Sequence, residues 1–316
     1  MNNRREFIKK LIAGASAVQI PVIGSAFSAL TTDELPPLNI SLAQWSMHRA
    51  IEKGELKPEN FAAIAKNNYG IQAIEYVGSF YQAHATEEKF WLQMKKTAND
   101  LGVKNLLIMV DNEGDLGNLN KPERKKAVEN HFKWINAAKL LGCHSIRVNA
   151  FGDGAKEAVQ KAMIESMTIL CTYASQENIN VIIENHGLYS ADGQWVAGIM
   201  KAVNQPNCGT LPDFGNWCTN AKWGSTQDNK CTEVYDRYEG VKDFLPFAKG
   251  VSAKSYDFNK DGEETIIDFT RMLQLVKAAG FKGHVGIEYE GHRLSEPDGI
   301  RATKALLEKT WKKING

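Results

Sequence analysis

One mark of punctuation recurs along this 316-residue chain. In KNNYG-IQAIEY, NDLG-VKNLLIMV, KLLG-CHSIRV, SQEN-INVIIEN, PFAKG-VSAKS and KAAG-FKGHVGIEY an amphipathic stretch ends, Gly or Asn follows, and an apolar run of strand length begins. Gly and Asn are favoured there because a helix terminates most easily on a left-handed residue. Adding LNISLAQW and CGTLPDF gives eight strand candidates, starting near residues 38, 71, 104, 144, 180, 208, 250 and 283. Between and after them lie EEKFWLQMKKTAND, ERKKAVENHFKWINAAKLL, KEAVQKAMIESMTILCTYAS, IIDFTRMLQLVKAAG and GIRATKALLEKTWKKI, with apolar residues at three- and four-residue spacing. Strand–helix alternation predicts parallel strands joined by crossover helices. Eight such units fit an α/β fold closed as a single (β/α)8 barrel. An open doubly wound sheet is the competing architecture, but no glycine-rich phosphate loop follows the first strand.

Residues 1–30 stand apart from this pattern. Arg4 and Arg5 are followed by Phe7 and Lys9, then by an uncharged apolar stretch ending in small residues around Gly24 to Ala29. This order resembles a twin-arginine export signal, which predicts a periplasmic protein whose folded domain spans 31–316. These thirty residues carry Arg4, Arg5, Lys9 and Lys10 against Glu6, so a formal charge of +1 for the whole chain leaves −2 for the remainder. A slightly acidic body argues against nucleic acid as a partner, because phosphate binding needs clustered Lys and Arg. The five cysteines match no zinc spacing. Cys143 and Cys208 fall at strand starts and read as buried thiols, whereas Cys218 and Cys231 share an irregular segment where an exported chain would allow a disulfide. That segment, about 214–241, also holds Trp217, Trp223, Tyr235 and Tyr238, and reads as a lid or as a contact in a homo-oligomer.

In a barrel the site lies at the carboxyl ends of the strands. Strand two ends in IQAIEYVG with Glu75, strand five in VIIENHG with Glu184, strand six in TLPDFGN with Asp213 and Asn216, and strand eight in HVGIEYEG with Glu288 and Glu290. Side chains alternate across a strand, so Glu184 and His186 share a face, as do Glu288 and Glu290. Carboxylates converging in a buried mouth repel one another unless protons or a cation compensate. An oxygen-rich set with one imidazole suits Mn²⁺, Mg²⁺ or Zn²⁺. Gln44 and His48 after strand one, and Arg147 and Asn149 on strand four, are further substrate-binding candidates. Trp45, Tyr76, Phe151 and Trp217 offer rings for stacking on a sugar, with packing in the core or rim as the alternative.

The segments IIENHG, LPDFGN, AKSYDF and GIEYEG resemble the sugar phosphate isomerase/epimerase family of xylose-isomerase-like TIM barrels, and the similarity runs through the chain after the signal. It implies that Glu184, Asp213 and Glu288 hold one divalent cation, with Glu184 and Glu288 doubling as acid/base groups. His186 corresponds to a substrate-side histidine, and Lys254 would polarise a carbonyl or stabilise an oxyanion. Relatives commonly carry HxK on strand seven. Here the residues are Ser252-Ala253-Lys254, so water or another side chain would have to complete the ligand shell.

The chemistry implied is proton transfer beside a carbonyl of a non-phosphorylated carbohydrate, as in isomerisation or epimerisation. The alternatives are elimination or hydration by a keto-glycoside lyase or dehydratase on the same site, and non-catalytic sugar binding. A retaining glycosidase is disfavoured, because strand four ends in Asn149 and strand seven offers Lys254 where that chemistry usually places its acids.

Overall fold

The computed structural model describes residues 37–227 and 230–316. The export signal read over residues 1–30 lies outside them. Eight parallel strands follow one another: β1 Ile40–Ala43, β2 Ala73–Val77, β3 Lys104–Met109, β4 Ser145–Asn149, β5 Asn180–Glu184, β6 Cys208–Leu211, β7 Val251–Ser255 and β8 Val285–Tyr289. Each begins within two residues of its expected position. Their order is β6-β5-β4-β3-β2-β1-β8-β7. The ends of that series, β6 and β7, meet through parallel bridges at Thr210–Ala248 and Asp213–Ser252, so the ring closes. Pro212 has no N–H to give and interrupts β6, but its carbonyl still accepts from the Ser252 amide at 2.9 Å.

The helices are α1 His48–Glu52, α2 Phe61–Tyr69, α3 Glu88–Asp100, α4 Lys121–Leu141, α5 Lys156–Ser175, α6 Gly193–Val203, α7 Arg237–Phe244, α8 Phe269–Ala278 and α9 Glu296–Asn315. Helices α2 to α8 each link one strand to the next, and α9 follows β8. Of the six punctuation residues, Gly70, Gly102, Gly142, Asn178 and Gly280 have positive φ, as a left-handed helix stop requires. Gly250 does not. Its open Cα face instead accommodates Leu211, whose Cδ1 lies 2.9 Å from where a Cβ would stand.

Two apolar cores result. The larger fills the space between strands and helices and includes Trp91, Trp134, Met163, Val181, Ile183 and Leu306. The smaller, Ala43, Val77, Leu107, Met109, Ile182 and Leu211, lies inside the ring. Alternation then places the inward-facing polar residues of β4, β5, β7 and β8 above that inner core. Among the described residues no helix is long and apolar enough to cross a membrane.

The described residues of the segment 212–236, between β6 and α7, carry little regular structure. Cys218 and Cys231 within it form a disulfide, while Cys143, Cys171 and Cys208 are free and buried. Trp217 is fully buried there, and Tyr76 is fully buried elsewhere in the outer core. Neither ring is available for the sugar stacking considered from the sequence.

Candidate functional site

Glu184 ends β5, Glu288 lies on β8, and Asp213 follows the Pro212 break after β6. All three are buried, and one ligand oxygen from each lies within 4.8 Å of the others. Ser252 occupies the position where the resemblance places a histidine. Its hydroxyl lies 2.6 Å from Asp213 Oδ2 and 3.0 Å from Glu288 Oε2, tying two of the three carboxylates together. The amides of Gly215 and Asn216 donate to Asp213 Oδ1, which fixes the other side of that carboxylate.

Two buried cations face this group. Lys254 Nζ stands 2.8 Å from Glu288 and 3.0 Å from Glu290. Burial works against its ammonium, but Glu288, Glu290 and Asp213 together hold its pKa well above the ordinary lysine value. Arg147 pairs with Asp111 at 2.6 Å and approaches Glu184 Oε2 with Nε at 2.8 Å. The second approach is a charge contact without hydrogen-bond alignment, so Glu184 Oε2 has no hydrogen-bond donor. Burial drives Glu184 well above the carboxylate range, with Glu288 and Asp213 adding to the rise and Arg147 opposing it. Burial likewise pushes Asp213 up to about 7.

The donor set therefore fits a small divalent cation. Three carboxylates converge, one buried oxygen lacks a donor, and low dielectric presses two of the acids toward protonation. A cation held between Glu184, Asp213 and Glu288 would remove that charge deficit.

The substrate side is built on a relay from β4. Asn149 Nδ2 donates to Asp111 Oδ1 at 2.6 Å, which turns its Oδ1 toward His186 Nδ1 at 2.7 Å. His186 Nδ1 must then carry the proton, leaving Nε2 as an acceptor. Burial, with Arg147 adding to it, holds His186 well below the usual imidazole pKa, so the ring is neutral. Burial alone would raise Asp111, but the Arg147 charge, His186 and the hydrogen bonds from Arg147 and Asn149 together hold the carboxyl below its ordinary range.

A cavity of about 290 Å³ opens here, lined on its polar side by Asp111, Arg147, His186, Glu288 and Glu290, and elsewhere by Trp45, Val77, Met109 and Trp223. A larger hollow, about 730 Å³, lies at the opposite strand ends around Lys104 and His144, and brings no carboxylates together.

Of the sequence-predicted substrate residues, Arg147, His186 and Glu290 line the cavity and Asn149 orients His186. Asn216 reaches Glu184 Oε1 with its Nδ2 at 3.3 Å. Three others are placed differently. Gln44 spends its side chain on the Tyr81 hydroxyl, the Pro58 carbonyl and the Val77 amide. His48 stacks on Trp45 at 4.4 Å, with Nδ1 2.7 Å from the Trp45 carbonyl. Glu75 does not end its strand, because β2 continues to Val77. It lies opposite Ala43 and beside Gly286, one layer below Glu288. Asp111 was not singled out from the sequence, although it ends the apolar run LLIMVD in the same way as the acids that were.

Comparison with known proteins bears on this geometry. A family model described as xylose isomerase-like TIM barrel matches residues 61–310. A mouse putative hydroxypyruvate isomerase is 26% identical over 216 residues, covering 62% of this chain and 73% of that protein. Among solved structures, an IolI protein with a bound zinc atom aligns with TM-score 0.67 at 14% identity, over 87% of this chain and 99% of its own. A sugar phosphate isomerase/epimerase from Parabacteroides distasonis aligns with TM-score 0.62 at 14% identity, over 92% and 98%. At such identities the solved structures speak for the fold alone.

Proposed function

Because the chain belongs to the xylose isomerase-like TIM barrel family, we propose that it is a metal-dependent isomerase or epimerase of a non-phosphorylated carbohydrate. The observation that carries this reading is the buried convergence of Glu184, Asp213 and Glu288 beside a cavity lined with hydrogen-bonding groups.

A carbon next to a carbonyl gives up its proton only if the charge developing on oxygen is stabilised, and a bound divalent cation supplies that stabilisation. Glu184 and Glu288 stand on strands three places apart in the ring. One carboxylate takes the carbon-bound proton and the other returns it, on the same carbon in epimerisation or its neighbour in isomerisation. Lys254, level with Glu288 in the strand register, holds that carboxylate in place. His186 Nε2 accepts a hydrogen bond from a substrate hydroxyl, and Arg147 adds positive charge on the side of Glu184. The Cys218–Cys231 bond suits an oxidising compartment, which supports reading the N-terminal arginine pair as an export signal. Replacing Arg4 and Arg5 by Lys and locating the product by cell fractionation tests that assignment.

The reaction is tested by incubating metal-supplemented protein in D₂O with free ketoses and with 3-keto-glycosides. Deuterium appearing at carbon next to the carbonyl is the expected result. Release of a substituent would place the enzyme among lyases instead, and neither outcome on either substrate class refutes carbon-proton chemistry.

A further inference from the structure

The proton chemistry leaves one feature of the cavity unused. Trp223 lines it with φ of +70°, a conformation that an aromatic L-residue rarely adopts, and 42% of its surface stays exposed. Burial therefore does not account for holding the ring there, and backbone strain of this kind concentrates where a side chain meets a ligand.

The surrounding chain is built to impose that position. Cys218–Cys231 closes the segment, and a Cys218–Val234 bridge pairs its two arms. At its tip, Lys222 bridges to Gly187, immediately after His186. Gly187 and Gly224, with φ of +88° and +67°, pass so closely that a Cβ on Gly187 would lie 2.6 Å from the Gly224 nitrogen, and one on Gly224 would lie 2.4 Å from the Gly187 nitrogen. Between these anchors the Trp223 indole is set at 76° to His186 with centroids 5.0 Å apart, and at 89° to Phe151 at 5.4 Å.

Trp45, after β1, lines the same cavity. It is fixed by its Nε1–H on Glu290 and by stacking on His48. Trp223 belongs to the segment after β6 but packs against Phe151 and His186, which follow β4 and β5, three and four places from β1 in an eight-stranded ring, so the two indoles stand on opposite sides of the cavity. The acids and His186 supply the polar side. The space between, about 290 Å³, equals roughly ten water volumes.

We infer that Trp223 and Trp45 are the aromatic walls for a sugar in its ring form, and that the substrate class is a cyclic hexose or hexoside, its carbonyl carried on the ring or released by ring opening, rather than an open three-carbon keto acid. A pyranose presents C–H groups on its faces and hydroxyls around its edge, matching apolar walls and a polar side. A three-carbon acid would touch the polar side and leave both indoles wet. The inference rests on the carbohydrate reading above, but it concerns binding and is measured without turnover.

The test is calorimetric titration of the full chain with the methyl glycosides of glucose, galactose and mannose, and with hydroxypyruvate. At least one glycoside should bind wild type. Trp223→Ala should weaken that binding about tenfold, the scale of one lost ring contact, and Trp223→Phe should recover most of it. Hydroxypyruvate binding should change less than twofold in both variants. No glycoside binding to wild type at millimolar concentration, or equal losses for glycoside and keto acid, overturns the inference. If ring sugars bind as described but no carbon-bound proton exchanges in D₂O, the proposed reaction fails and the aromatic walls stand. If the keto acid exchanges its proton and Trp223→Ala changes no affinity, the reaction stands and the walls fall.

Discussion

Replacing Glu75 by Gln should make the protein's stability markedly less sensitive to pH. Glu75 faces the barrel interior, accepts from the Ser41 hydroxyl at 2.6 Å, and has no partner for its other oxygen. Gly286 makes room for it, since a Cβ there would lie 2.6 Å from Glu75 Oε1. Burial, only partly offset by the Ser41 hydroxyl, raises its pKa from an ordinary 4.5 to about 7. A raised carboxyl means that the folded state holds its proton more tightly than the unfolded chain does. The associated stability is present in full below about pH 4.5 and is lost as pH rises through about 7. With those two values, the loss between pH 5 and pH 8 is about 2.5 kcal/mol. Gln at this position can still accept from Ser41 but leaves an unpaired amide, costing about 1–3 kcal/mol at either pH. The absolute stability of the variant is therefore a poor test, whereas its change relative to wild type across pH is a clean one. Urea denaturation of the metal-free proteins at pH 5 and pH 8 measures it. The difference should move in favour of Glu75→Gln by about 2.5 kcal/mol on going to pH 8, the other buried acids titrating alike in both. A difference that stays constant with pH, or moves the other way, would show that Glu75 is not a buried carboxyl kept neutral beneath the site.

Further outcomes follow from the same geometry. Glu184→Gln and Glu288→Gln should each lower carbon-bound deuterium exchange at least about a hundredfold, the usual scale for an acid/base group, and near-wild-type rates in both would remove those roles. Ser252→His should raise affinity for Zn²⁺ at least about tenfold relative to Mg²⁺, since imidazole suits zinc better than a hydroxyl does; titration of metal-free protein with each ion checks it, and an unchanged ratio refutes it. Reducing Cys218–Cys231, whose partners are 13 residues apart, should free up to about 3 kcal/mol of loop entropy. Hydrogen exchange should quicken over 217–235 while the strands stay protected, and uniform protection in the reduced protein would argue that the Gly187 contact alone holds the segment.

The barrel was legible because a strand-and-helix repeat leaves its period in the chain, and because helix stops at Gly70, Gly102, Gly142, Asn178 and Gly280 demand particular residues. Strand starts could be read to within two positions for that reason. The depth of an acid within the ring could not. Glu75 and Glu184 both follow apolar runs, but β2 continues two residues past Glu75 while β5 stops at Glu184. Only the register between strands separates a carboxyl under the site from one in it. The aromatics failed in the same way. Trp217 and Trp223 lie six residues apart in one irregular segment, and nothing local to the sequence says that the first is fully buried against Phe244 while the second lines the cavity. That choice is made by the disulfide and the Gly187–Gly224 approach, contacts between positions far apart in the chain.

The strand-seven departure is where sequence and structure explain each other most directly. A histidine at 252 would bring a nitrogen ligand and no charge. Ser252 brings a hydroxyl that bridges Asp213 and Glu288, and two residues on Lys254 spans Glu288 and Glu290. Asp213 and Glu288, two of the three carboxylates, are thus held together by a shared hydroxyl and a neighbouring ammonium before any cation arrives. A site organised in this way should keep its shape without metal more readily than one whose acids repel freely. Its donors are all oxygen, which moves the preference toward hard ions such as Mg²⁺ and Mn²⁺. Lys254 also supplies one positive charge that an ion would otherwise provide, so the gain from binding is smaller. Weaker binding of a harder ion is the joint consequence, and it follows from one position in the sequence once its neighbours in space are known.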